Sequence, residues 1–173
     1  YIHSGIVDKS SPFYGDYIND SSKGSNGGTS DTLAISLNSG FGTYPQSLCP
    51  YNEVKKGFSE TLRYYSDYRL KDYSEISNNK DTLKSKIVSN GAVTVHYPSI
   101  TDCYSSDYAN YYSDNTCIGI GDSHLIVVVG WDDNYSKDNF TGKVKPSNDG
   151  AWLCKNSWRE HYGNDGYIWI SYD

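Results

Sequence analysis

Four short runs rich in β-branched and aromatic residues constrain the fold of this 173-residue chain more than any other feature. They occupy 92–97 (AVTVHY), 124–131 (HLIVVVGW), 151–157 (AWLCKNS) and 166–172 (GYIWISY). Runs of this kind, bounded by turn-forming residues, are typical of β-strands. Asn-Asp-Gly introduces each of the last two runs and supplies the positive-φ positions that tight connections need. The pattern predicts an antiparallel sheet, closed or half-closed into a barrel.

Two short helices are predicted outside these runs. The first, at about Ser30–Asn38, has apolar residues at helical spacing and ends before Gly40. The second, at about Asp81–Ser89, carries Leu83 and Ile87 four residues apart. The rest of the first 66 residues is rich in loop-forming residues, so the predicted fold class is α+β.

The composition argues against two classes of partner. Charged residues make up 21% of the chain and the net charge is −6, so no basic surface is available for nucleic acid or an anionic membrane. No apolar run approaches the roughly 18 residues of a membrane span. Eighteen tyrosines among many Ser, Asn, Asp and Gly residues are typical of secreted or cell-surface proteins. The lack of any methionine indicates a processed segment of a longer product.

Four cysteines allow three disulfide pairings if all are oxidised. Cys103 with Cys117 is the locally plausible pair, because both flank a polar, Tyr-rich loop. Cys154 lies in a predicted strand, where a free cysteine packs as a small hydrophobe. The chain has no CxxC or HExxH motif, so neither a metal site nor a cofactor is predicted. The acidic run at 132–139 (DDNYSKDN) lacks the mid-loop glycine and final glutamate of an EF-hand, which favours a solvated loop over a calcium site.

A histidine and an asparagine at the ends of predicted strands suggest a catalytic pair. His124 opens an apolar run, so its ring can face a cleft while the following residues enter the core. Taken alone, it is better explained as a satisfied strand-end histidine, because functional histidines are a minority. Asn156 follows another predicted strand, and an asparagine oxygen can orient an imidazole without adding a negative charge. That arrangement suits a cysteine nucleophile, and Trp158 could cover the hydrogen bond.

Three segments, taken in order, resemble the papain family of cysteine peptidases. The run HLIVVVGWDDNY, followed by NDGAWLCKNSWREHYGNDGYIWISY, is similar to the second half of that family. Upstream, GSNGG at 24–28 resembles the family's Gly-Cys-Asn-Gly-Gly segment. The GWDDNY and ISYD stretches are most similar to members that Gram-positive bacteria secrete or display. The resemblance implies a two-lobe fold, with part of the helical lobe at 1–66, an antiparallel β-barrel lobe at 67–173 and a cleft between them.

The resemblance also implies site roles. His124 matches the general base, Asn156 its orienter and Trp158 the shielding indole. The residues that match the substrate-binding positions are Gly27, Gly28, His96, Leu125 and Tyr162. For Gly27 and Gly28 the alternative is an ordinary turn before the first helix. A histidine in the main specificity pocket would accept acidic or polar substrate side chains.

Two substitutions and one absence depart from the family pattern. Ser25 replaces a cysteine of the Gly-Gly segment, and Arg159 replaces the glycine that follows Asn-Ser-Trp. The family's nucleophile, a cysteine that opens a long helix upstream of the Gly-Gly segment, has no match, and none of the four cysteines begins a predicted helix. A companion chain or segment is therefore expected to carry it. The predicted function is a cysteine-type endopeptidase that acts on polypeptides through a thioester, and the alternative is a papain-fold binding or scaffold module without catalysis.

Overall fold

The computed structural model describes residues 68–117 and 122–173, together with the single positions 34, 37, 43, 45, 47 and 48. The chain divides into two compact units, Tyr1–Ser74 and Glu75–Asp173. In the first unit Ala34 and Leu37 are helical, within the predicted first helix, whose other residues lie outside the described ones. Thr43 and Tyr68 form an antiparallel bridge there. The predicted lobe division after residue 66 stays a prediction.

The second unit begins with helix α1, Lys80–Asn90, which confirms the second predicted helix. The Asn79 side chain accepts hydrogen bonds from two backbone N–H groups of the first turn, which would otherwise lack partners. The helix ends at Gly91, whose φ of 86° lies in the left-handed region that glycine adopts without strain. Leu83 and Ile87 are its buried residues, as their spacing predicted.

Five strands form one sheet, and the four predicted runs are confirmed as strands within it. They are β1 Val93–Ser99, β2 Asn110–Tyr111, β3 Asp122–Asp132, β4 Ala151–Lys155 and β5 Tyr167–Ser171. The order across the sheet is β1-β3-β4-β5-β2. The pairs β1–β3, β3–β4 and β4–β5 are antiparallel, whereas β2 runs parallel to β5.

The expectation of an antiparallel barrel is wrong for the described residues, where the sheet is open between β1 and β2. Strand β2 has only two residues, and β5 is the one strand of the sheet that it pairs with, so it does not extend a ladder to β1. A side chain links the two edges instead, because the Tyr111 hydroxyl donates to the carbonyl of Pro98. Tyr111 is buried and packs edge-on against Tyr97 of β1.

The core lies on one face of the sheet. Ile126 and Val128 of β3, Cys154 of β4 and Ile168 of β5 are at most 2% exposed, and Ile87 of α1 belongs to the same cluster. Burying an aliphatic side chain of this size stabilises the fold by about 1.5–3 kcal/mol. Strand alternation places His124 on this core-facing side, two residues before Ile126.

The described cysteines are one disulfide pair and one free thiol. Cys103 and Cys117 form a disulfide with a Cα–Cα distance of 6.5 Å, which is the locally plausible pairing. Cys154 is free and buried.

Across 68–117 and 122–173 no cluster of three His, Cys, Asp or Glu side chains is arranged to hold a metal. No helix in the described part of the chain is long and apolar enough to cross a membrane.

Candidate active site

His124 and Asn156 meet because β3 and β4 are antiparallel neighbours. Strand β4 ends at Lys155, opposite Val127, so the chain that leaves β4 passes beside the start of β3. His124 Nε2 lies 2.9 Å from Asn156 Oδ1. The backbone N–H of Asn156 donates to the carbonyl of Gly166 at 2.9 Å, which fixes the residue just beyond the strand. The predicted pair is therefore within hydrogen-bonding distance.

A second hydrogen bond determines how the proton is placed on His124. The backbone N–H of Ser157 donates to Asn156 Oδ1 at 2.8 Å. A backbone N–H can only donate, so the atom it meets is the amide oxygen, and His124 Nε2 must then donate to that oxygen. In the neutral ring Nδ1 is left without a proton and can accept one. The geometry thus leaves Nδ1 as the ring nitrogen that can accept a proton.

This orientation of Asn156 leaves its amide nitrogen without a hydrogen bond in the described part of the chain. Nδ2 is buried and has no hydrogen-bond partner within the described residues. Leaving a buried donor unsatisfied costs about 1–3 kcal/mol. An asparagine is thus kept here although half of its hydrogen-bonding capacity is unused.

Trp158 covers one face of the imidazole. Its ring stacks on that of His124 at a centroid distance of 5.1 Å and an interplanar angle of 22°. Trp158 is itself partly buried and packs against Tyr104 and Tyr108. An apolar cover that reduces water access strengthens the His124–Asn156 hydrogen bond.

Tyr97 lies on another side of His124 and was missed from the sequence. It is the register partner of His124 across β1 and β3, and its ring meets the imidazole edge-on at 5.6 Å and 66°. The alternation in AVTVHY separates Tyr97 from His96, but only the strand register shows which of them faces His124. Eighteen tyrosines leave no compositional signal that singles it out.

The predicted substrate-binding residues fall in three places. His96 and Leu125 are register partners on the sheet face opposite to Tyr97 and His124, and His96 Nδ1 lies 3.1 Å from Ser123 Oγ. Tyr162 is exposed and meets Trp158 edge-on at 6.0 Å. Gly27 and Gly28 lie outside the described residues. Their roles in binding stay predictions.

Arg159 occupies a backbone conformation that explains the glycine of the family pattern. Its φ is 76°, in the left-handed region where a side chain is strained. The side chain is exposed, as expected for a cation that points into solvent. The Tyr162 N–H donates to the Arg159 carbonyl at 3.3 Å, so this conformation closes the turn after Trp158.

The described cysteines offer no thiolate to His124. Cys103 and Cys117 are joined in the disulfide. Cys154 is 1% exposed, and desolvation by burial raises its pKa to about 12. A thiol with that pKa stays protonated near neutral pH and is a poor nucleophile. Cys49 lies outside the described residues.

Comparisons with known proteins find related sequences. The family model described as papain family cysteine protease matches residues 16–173. Curated relatives include testin-2 of Mus musculus, 26% identical over 68% of this chain and 34% of its own length. Procathepsin L of Rattus norvegicus is 28% identical over 87% of this chain and 42% of its own length. The chain therefore spans less than half the length of these relatives.

Solved structures show the same fold. The clostridial cysteine protease Cwp84 after propeptide cleavage superposes with a TM-score of 0.74 and 32% identity, over 84% of this chain and 37% of the other. The cysteine protease and lectin-like domains of Cwp84, a surface layer associated protein of Clostridium difficile, give 0.71 and 33%, over 82% and 32%. Bromelain from Ananas comosus, at 20% identity and a TM-score of 0.57 over 85% and 61%, supports the fold alone. The predicted papain-like α+β fold is thereby confirmed.

Proposed function

The chain belongs to the papain family of cysteine proteases, and from that premise we propose that it supplies the histidine base and asparagine orienter of a cysteine-type endopeptidase. Its substrates are polypeptides, and a cysteine on a companion chain or segment is the nucleophile. The observation that carries the proposal is the contact of His124 Nε2 with an asparagine oxygen that the Ser157 N–H has already oriented.

In the proposed reaction His124 carries one proton in acylation and a second one in deacylation. Nδ1 takes the proton of the cysteine thiol as the sulfur attacks the scissile carbonyl carbon. The imidazolium then gives that proton to the leaving amine, so the peptide C–N bond breaks and a thioester remains. Nδ1 next takes a proton from water, whose oxygen attacks the thioester carbon. The C–S bond breaks and releases the acid, and the imidazolium returns the proton to the sulfur, which restores the thiol. Throughout, Nε2–H stays bonded to Asn156 and holds the ring in one orientation.

The buried amide of Asn156 supports catalysis over a purely structural role. In a purely structural role this residue would carry a cost without a return, because Nδ2 is buried and has no partner among the described residues. Such a cost is commonly retained at functional sites. Trp158 adds to this support, since it stacks on the same imidazole that the asparagine orients.

A papain-fold binding module without catalysis is the second candidate. The observation that favours it is the lack of a reactive thiol among the described cysteines, of which two are in a disulfide and one is buried. Such a module would keep the substrate-binding surface and bind peptides without cleaving them. We place either form of the protein outside the cell or at its surface, in line with the disulfide and with the surface-layer relative.

Peptide hydrolysis by the full-length protein tests the proposal. We expect His124→Ala to lower kcat by about 10³-fold or more and Asn156→Ala by about 10- to 100-fold, since the second change misplaces the base without removing it. Both variants should unfold at nearly the wild-type denaturant concentration. His161→Ala, an exposed histidine of the loop after Asn156, is the matched control and should keep full activity.

The two candidates differ in their response to a thiol-directed irreversible inhibitor. A peptidase loses its activity and gains one covalent adduct, whereas a binding module has no hydrolysis to lose. Full activity of His124→Ala would end the peptidase proposal. Peptide binding without hydrolysis in the wild-type protein would favour the module.

A further inference from the structure

Two buried tyrosines join the aromatic side chains around His124. Tyr97 meets the imidazole edge-on at 5.6 Å, and Tyr104 packs against Trp158 at 5.5 Å. Trp158 in turn stacks on His124 at 5.1 Å. The hydroxyl oxygens of Tyr97 and Tyr104 lie 2.5 Å apart and share a hydrogen bond. Contacts therefore run in a closed circuit from His124 through Tyr97, Tyr104 and Trp158 back to His124.

The hydroxyl bond sets where the two tyrosine rings lie relative to each other. Tyr97 is 8% exposed and Tyr104 5%, and a buried hydroxyl without a partner costs about 1–3 kcal/mol. The Ser99 hydroxyl lies 2.9 Å from the Tyr104 hydroxyl and extends the bonded group. Burial raises the pKa of both tyrosines, so both keep their protons through neutral pH. Neither ring can move alone without breaking this buried bond.

The two tyrosines come from different parts of the unit. Tyr97 belongs to β1, which is held by its ladder with β3. Tyr104 follows Cys103 of the disulfide, and its backbone pairs with Tyr111 in an isolated bridge. The hydroxyl bond is thus a direct link between the strand that borders His124 and the loop that supports Trp158.

We propose that the hydrogen-bonded pair Tyr97 and Tyr104 positions His124, by holding the imidazole between Tyr97 and Trp158 in the orientation that Asn156 requires. The inference rests on the proposed function for its kinetic consequence. Its claim about the orientation of the imidazole does not depend on that function. Tyr97 and Tyr104 are positioning residues, since they act through His124 and Trp158.

The test removes each hydroxyl and keeps its ring, with Tyr97→Phe and Tyr104→Phe in the full-length protein. The first readout is the NMR signal of the His124 ring. Ring currents from stacked and edge-on neighbours shift its Cε1–H, and the Asn156 bond slows exchange of its Nε2–H. We expect Tyr104→Phe to move the Cε1–H signal by at least ~0.1 ppm and to accelerate Nε2–H exchange about 3-fold or more, and Tyr97→Phe to act in the same direction.

The second readout is peptide hydrolysis. We expect each variant to lower kcat about 3- to 10-fold while KM changes less than 2-fold, because a loosened base slows chemistry without touching the bound peptide. The matched control is Tyr135→Phe, which removes another tyrosine hydroxyl bond of the same unit, donated to Asn110 Oδ1 at 2.5 Å. It should reduce stability comparably and leave the His124 signals unchanged.

The outcomes separate the inference from the proposed function. Unchanged His124 signals in both phenylalanine variants would overturn the inference, as would equal changes in Tyr135→Phe. If the wild-type protein hydrolyses no peptide, the proposed function fails. The NMR comparison still decides whether the tyrosine pair positions the imidazole.

Discussion

At the scale of single residues, the backbone around Asn156 determines which ring nitrogen of His124 carries the proton in the neutral imidazole. The Ser157 N–H orients the amide, the amide orients His124, and Nδ1 is left as the basic nitrogen. A carboxylate in place of Asn156 would also orient the ring but would add a negative charge, which disfavours a neighbouring thiolate. Asparagine therefore suits a base that must pair with a thiolate.

The sequence allowed the pair to be predicted, because each residue lies at a strand end within a recognisable motif. It did not allow Tyr97 or Tyr104 to be predicted. Their contacts depend on the β1–β3 register and on the path of the loop that the disulfide closes, and neither is encoded in a local pattern.

The strained backbone of Arg159 leads to a prediction of stability. A left-handed conformation destabilises a residue with a side chain by about 1–2 kcal/mol, and glycine removes that strain. Glycine also gives the unfolded chain more conformational entropy, which offsets the gain by about 0.5–1 kcal/mol. We expect Arg159→Gly to raise the free energy of unfolding by about 0.5–1 kcal/mol, measured by urea denaturation.

A matched control for that substitution is available in the same loop. Asp165 has a φ of 52°, but aspartate tolerates this region better than arginine does. Asp165→Gly should therefore raise the stability less than Arg159→Gly. If the two substitutions have equal effects, backbone strain at Arg159 is not the cause.

At the scale of elements, the loop between β1 and β3 supports the site from the side. The disulfide spans Cys103 and Cys117, and the chain between them contributes Tyr104 and Tyr108, which both contact Trp158. The Gly163 N–H donates to the Asp107 carbonyl at 3.1 Å, which ties this loop to the one that follows Trp158.

Reduction of the disulfide should destabilise the protein. The bond closes a loop with a sequence separation of 14, and restricting a loop of that length in the unfolded chain is worth about 3 kcal/mol. We expect a reductant to lower the free energy of unfolding by about that amount, measured by urea denaturation with and without it. The double variant Cys103→Ala, Cys117→Ala should be equally destabilised and insensitive to reductant, and a variant still sensitive to it would contradict the assignment.

The Asp107 carboxylate makes the stability of the same loop depend on pH. The Ser105 hydroxyl, and after it the Ala109 N–H, lowers the pKa of Asp107 below its ordinary value of 3.8. A depressed folded-state pKa contributes stability that is present above pH 3.8 and is lost as the pH falls through the folded value. We expect the unfolding free energy of Asp107→Asn to fall less steeply than that of the wild type as the pH is lowered, measured by urea titrations across that range.

Ser105→Ala serves as the companion variant for that experiment. It removes the main donor to Asp107 but leaves the carboxylate in place. The unfolding free energy of Ser105→Ala should fall less steeply with falling pH than that of the wild type, as expected also for Asp107→Asn. A wild-type profile for Ser105→Ala would show that the hydroxyl does not lower the Asp107 pKa.

The elements differ in how well the sequence predicts them. Each of β1, β3, β4 and β5 carries its own run of strand-forming residues, and α1 has its cap and its apolar spacing. Strand β2 has two residues in a polar loop, too few for any periodicity. Barrel closure failed as a prediction for the same reason, because it depends on how edge strands pair and not on the composition of each strand.

At the scale of the whole molecule, the proposed base His124 and its proposed orienter Asn156 come together, but the described residues hold no reactive thiol. Cys154 is two residues from Asn156 in sequence, yet its side chain is buried in the core. The register partner of Cys154 is Val128, which lies four residues beyond His124 along β3. At about 3.4 Å per residue the strand separates the two positions by about 14 Å, so closeness to Asn156 in sequence does not bring this sulfur to His124. The resemblance could indicate which family the chain belongs to, but not where its nucleophile lies.

The location of the nucleophile is the prediction that tests the molecule as a whole. Treating the intact protein with a thiol-directed irreversible inhibitor should label one cysteine on a segment outside these 173 residues, identified by mass spectrometry of the digested product. Cys154 should stay unlabelled under native conditions, because burial raises its pKa to about 12, and should react after denaturation. Cys154→Ala should keep hydrolysis and labelling intact, whereas His124→Ala should slow labelling, because the base would no longer draw the proton from the sulfur. An adduct on Cys49 or Cys154 of the native protein would contradict a nucleophile on another segment and would place it within this chain.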